Sequence, residues 1–126
     1  MITRIASMVL RLCAVAALTL GILFWTGHAD NLHNIHMTVG MLLVLALWVI
    51  AFARMKTPGG VGALIAALTV GVLLALVGMT QEQVLPGANH WVIQVVHLGL
   101  ALVAIGIGEM LARRGAKAVR FAKQAA

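Results

Sequence analysis

Cysteine occurs once, at Cys13, so no intrachain disulfide can form and thiol usage does not report a redox compartment. Within its apolar surroundings Cys13 reads as a small packing residue. Charge is equally scarce. Only 10% of the residues are Asp, Glu, Lys or Arg, and the acidic ones number three, Asp30, Glu82 and Glu109. Ordinary soluble domains carry about a quarter charged residues. No polar stretch is long enough to form a soluble domain beside the apolar runs. What remains is a chain that is 63% hydrophobic with a mean hydropathy of +1.07, the composition of an integral membrane protein.

Four segments of near-membrane length carry few or no charges, over 5–25, 35–52, 61–79 and 91–108. About 20 apolar residues at 1.5 Å each cross ~30 Å of hydrocarbon, so each segment spans once with help from its flanks. The expected fold is all-α, an up-down-up-down transmembrane four-helix bundle forming one domain over 1–126. Its helices are expected at about 3–25, 32–54, 61–79 and 90–114, followed by a basic tail at 115–126 read as an interfacial segment. The first run, with Arg4 and Arg11 near its start, resembles a secretory signal, but bulky Phe24 and Trp25 sit poorly before a cleavage point at Gly27-His28-Ala29. It is therefore expected to stay as the first helix, with Arg11 snorkelling to the nearer surface. Asp30 or Asn31 is positioned to cap the second helix, and Met55 to Gly60 contains the breakers expected between the second and third. Glu109 has Arg113 four residues on, which reads as a surface ion pair.

All nine Lys and Arg residues fall on one side of this scheme: Arg4, Arg11, Arg54, Lys56, Arg113, Arg114, Lys117, Arg120 and Lys123. That asymmetry predicts a bacterial inner membrane protein with both termini in the cytoplasm. No nucleic-acid-binding fold has room to form, so the formal charge of +6 points to contact with anionic lipid headgroups. The five histidines, His28, His33, His36, His90 and His97, all lie toward the other side.

A ring nitrogen at membrane depth costs several kcal/mol unless a partner or a metal takes it. His36 lies 18 residues before Arg54 and His97 lies 17 before Arg114, so the two differ in depth by only about 1.5 Å. The helices that carry them run parallel. Two imidazoles at one level on facing helices of a bundle form the donor set for axial ligation of a haem, and His36 and His97 are the predicted iron ligands. The second ring nitrogen of each would need an acceptor such as a threonine or a backbone carbonyl. Gly40, one turn beyond His36 on the same face, either admits a flat group or serves helix packing. Gly71 and Gly78 read as packing positions in an uncharged third helix. His33 and His90 lie 21 and 24 residues from the same markers, nearer to water, and with His28 are assigned to propionate contacts, to entry of a redox partner, or to a wet helix end. Two readings compete with haem. In one, His28, His33, His36 and His90 bind copper or zinc near the outer surface. In the other, His36 and His97 merely hydrogen-bond to each other or to Thr38 within a non-catalytic membrane subunit.

Asn34-Ile35-His36-Met37-Thr38-Val39-Gly40, the Leu/Val-rich run after it and the exit Arg54-Met55-Lys56-Thr57-Pro58 resemble the second helix of bacterial cytochrome b561 proteins. There the histidine is a haem ligand and a small residue follows four positions later. The order Gly78, Pro86, Val95-Val96-His97 is also similar to one half of haem A synthase, which is built from two four-helix units with a histidine in the second and fourth helix of each. The resemblance implies haem b (iron) as cofactor. The b561 family generally carries a second haem near the cytoplasmic side, and this chain has no histidine there. In haem A synthase a glutamate stands three positions before the helix-2 histidine, where this chain has His33. The expectation is therefore one bis-histidine haem b serving one-electron transfer, in an electron carrier or small oxidoreductase. The electron would come from a quinol or a periplasmic redox partner, with a homodimer as a relay.

Overall fold

The computed structural model describes the backbone of residues 1–28 and 30–124, and the side chains in that range other than those of residue 30 and residues 115–124. Four helices account for nearly all of it: α1 (Ile2–Trp25), α2 (His33–Arg54), α3 (Gly60–Thr80) and α4 (His90–Gln124). All four include an apolar stretch long enough to cross a membrane. Short 3-10 turns, Asp30–Leu32 and Gly87–Asn89, lead into α2 and α4. The chain is the all-α four-helix bundle that its hydropathy pattern demands.

Two helix ends differ from expectation. Leu32 occupies the capping position of α2 and no described side chain caps it: the 3-10 turn places Asn31 inside a turn of its own, and the side chain of Asp30, the other expected cap, lies outside the described residues. At the other end α4 continues through Gly115 to Gln124. One glycine costs a helix roughly 1 kcal/mol and does not stop it without a proline or a competing cap. Between α2 and α3, Gly59 takes the left-handed conformation at φ +71°. Gly60 lies against the Arg54 and Met55 carbonyls so closely that a Cβ would collide with both.

The helices form a ring in which neighbours pack along the chain and α4 closes against α1. The diagonals are unequal. α2 and α4 touch across the centre, whereas α1 and α3 have no comparable contact. The histidines lie toward one end, His28 in a loop and the other four in the outer turns of α2 and α4, and the basic residues lie toward the opposite end. The packed core sits mainly toward the basic end, where Leu10, Leu47, Ile50, Ala51, Ala104 and Leu111 are almost inaccessible. Trp48 fixes the α2–α3 seam there: its indole N–H donates to the Ala67 carbonyl at 3.1 Å, and the ring occupies the space that a side chain at Gly71 would need.

Arg11, expected to snorkel, is paired across the bundle. Its guanidinium spans from α1 to α4 and donates to both carboxylate oxygens of Glu109, Nε to Oε1 at 2.6 Å and Nη2 to Oε2 at 2.9 Å. The expected partner Arg113 also pairs with Glu109, more loosely, with Nε 3.9 Å from Oε2. A bidentate fork across two helices satisfies both oxygens at once, which a single nitrogen four residues along the same helix does not.

Candidate functional site

Toward the histidine end the bundle changes character. No residue of the outer turns of any helix is fully buried, and the four helices enclose a cavity of about 150 Å³ instead of a packed core. The walls that α1 and α3 present to it mix small residues, Ala14, Ala17 and Gly21 on one side and Ala75 and Gly78 on the other, with large apolar ones such as Leu18, Phe24, Leu74 and Met79. Interiors are normally packed to crystal density, so a void of this size at the end of a tight core is a candidate binding site.

His36 and His97 enter this cavity from α2 and α4, the two helices of the short diagonal. Their ring centroids are 6.2 Å apart and their planes are inclined at 52°. A single metal ion bound by both would have bonds of about 2 Å to each nitrogen, and the ring adds about 1.1 Å from nitrogen to centroid, which places the centroids just over 6 Å apart. The observed spacing matches. Both Nδ1 atoms are buried and have no hydrogen-bond partner, a state that costs about 1–3 kcal/mol for each atom while it lasts. The simpler alternative lacks its partners: no hydrogen bond joins the two rings among the described residues, and the Thr38 hydroxyl donates to the Asn34 carbonyl at 2.9 Å on an exposed face.

Glycines back both rings. A Cβ at Gly78 would lie 2.9 Å from Cε1 of His97, and one at Gly21 would lie 3.7 Å from Cε1 of His36. Each ligand candidate is thus seated against a glycine of the helix preceding its own. Gly40 also lines the cavity, and a Cβ there would meet nothing within 4 Å. The space beside Gly40 is open. Phe24 closes the α1 side with its ring edge-on to His36 at 5.3 Å.

The remaining histidines stand apart. His33 lies against the other side of Phe24, with centroids 6.2 Å apart, and neither His33 nor His90 lines the cavity. His28 is exposed and hydrogen-bonds through Nδ1 to the Thr26 hydroxyl at 3.2 Å. Among the described residues no three of His, Cys, Asp and Glu gather closely enough to hold an ion, so the histidine cluster expected for copper or zinc does not assemble. Sequence reading overlooked Gly21, which backs His36, and Gln94, one turn outward from His97, and it took Gln81 only as a loop residue. Both glutamines line the cavity mouth. The spacing of Gln94 from His97, three residues on one helix face, was the available signal.

No protein-family model, curated protein or solved structure matches this chain.

Proposed function

We propose that the chain is a multi-pass b-type cytochrome of a bacterial inner membrane, carrying one electron on a single haem b in the outer half of the bilayer, with both termini in the cytoplasm. The observation that carries this reading is the 6.2 Å separation of the His36 and His97 rings inside a largely apolar cavity. The apolar void, the open space at Gly40 and the two buried ring nitrogens without partners fit a flat, hydrophobic, iron-bearing macrocycle. The distribution of the basic residues supports the orientation.

When bound, the haem supplies a one-electron iron couple. The protein's part is to hold and insulate it. His36 and His97 would hold its iron, and ligation by two imidazoles would favour redox carriage over oxygen chemistry. Gly21 and Gly78 fix the distance at which each imidazole stands, and the packed core below seals the site from the basic end. A quinol or a periplasmic redox protein as electron donor, and a homodimer as relay, belong to the same proposal.

The test is an absorption spectrum of the purified protein before and after dithionite. A Soret band with sharpened α and β bands on reduction is expected, with stoichiometric iron, and its loss in His36→Ala and in His97→Ala. Colourless protein holding stoichiometric copper or zinc would replace haem with the metal-binding reading, and protein free of both would leave a structural membrane subunit.

A further inference from the structure

The cavity is polar at one end only. Of the side chains that line it, His36 and His97 face each other at mid-depth, and Gln81 and Gln94 stand at the mouth on the histidine end. Gln94 precedes His97 by three residues and so lies one turn outward on the same face of α4. Gln81 follows Gly78 by three residues, and Gly78 is the residue packed against the His97 ring. The two amides therefore flank the opening directly outward from His97, both half-buried. The opposite end of the cavity is closed by Ala14, Leu43, Val44 and Ile105, where no side chain can donate a hydrogen bond.

We infer that the amide groups of Gln81 and Gln94 hold the two propionate carboxylates of the haem, and so set the orientation in which it is bound. This rests on the haem reading above. Haem b is apolar except for one edge, which bears two carboxylates. With that edge inward, both carboxylates would lie against aliphatic side chains at membrane depth, a placement that ionised groups do not tolerate. With that edge outward they meet two amides, each offering N–H donors to groups that only accept, beside the water of the loop region. His33 and His90, for which propionate contact is one of the readings the sequence offers, do not line the cavity. Gln81 and Gln94 take the role.

The experiment compares haem with its dimethyl ester, in which both carboxylates are masked. Full-length protein made without haem supply is titrated with each, and binding is followed by the Soret band. The wild type is expected to bind haem about tenfold or more tightly than the diester, because hydrogen bonds to charged groups are the stronger kind. The Gln81→Leu/Gln94→Leu variant is expected to bind the two alike, with His36 and His97 still giving a six-coordinate spectrum. Equal binding of haem and diester by the wild type overturns the assignment while leaving the haem reading intact, and a preference that survives in the double variant overturns it as well. Wild type that binds neither compound defeats the haem reading itself. If the double variant does not fold, Gln94→Glu decides: a carboxylate beside the propionate should weaken haem and spare the diester, and equal weakening of both refutes the proposal.

Discussion

At the scale of single residues, the site depends on where side chains are missing as much as on where they are present. Gly78 and Gly40 make the contrast testable. A methyl group at Gly78 would press on the His97 ring at 2.9 Å, well inside normal contact, and the ring must turn or retreat. Gly78→Val is therefore expected to distort or break axial ligation, seen as altered low-spin electron paramagnetic resonance signals or conversion to five-coordinate haem. At Gly40 a Cβ meets open space, so Gly40→Ala should leave the apoprotein fold untouched, whereas Gly40→Phe should fill the cavity and lower haem content several-fold with the helices retained. Equal haem content in Gly40→Phe and wild type would show that nothing occupies that space. In the core the signs are simpler. Leu47 is wholly inaccessible, and Leu47→Ala should cost about 2 kcal/mol or more through the cavity it leaves, measured as a shift in the unfolding midpoint in detergent, with axial ligation unchanged in the fraction that remains folded.

At the scale of helices, the Arg11–Glu109 fork is the polar tie between the first and the last. It joins α1 and α4 near the packed half, where Leu10 also presses on Gly108. Because Arg11 remains more than half exposed, the tie is expected to add registry more than stability. Arg11→Ala or Glu109→Gln should lower the thermal midpoint slightly, and the charge-swapped Arg11→Glu/Glu109→Arg pair should recover part of the loss. A swap less stable than both single variants would show that Arg113 governs the local electrostatics instead. The histidine-bearing helices α2 and α4 are the ones that touch across the bundle, and this contact sets the His36 and His97 rings 6.2 Å apart.

At the scale of the whole molecule, polarity is separated end from end: basic residues at one pole, imidazoles and amides at the other, and a cavity open toward the second. The proposed topology predicts that a cysteine introduced at Val84, in the exposed loop before α4, reacts with a membrane-impermeant maleimide added to intact spheroplasts, whereas one at Lys56 reacts only after lysis. The reverse labelling pattern would invert the orientation. Native Cys13 is buried among packing residues, so its background labelling should be low in both conditions.

Hydropathy and charge are local properties, and they carried the sequence far. The four helices lie within about two residues of the positions that length and composition require, except where α4 runs on past Gly115. Counting residues from Arg54 and Arg114 was enough to set His36 and His97 at one level, because a helix converts residue number directly into depth. Rotation about the helix axes and the spacing between helices are not written in any one segment. Those decided that the two rings face each other, that Gly21 and Gly78 stand behind them, that Arg11 reaches Glu109 across the bundle, and that Gln81 and Gln94 rather than His33 and His90 border the mouth. Each is a relation between residues on different helices, fixed only when four apolar surfaces choose how to pack.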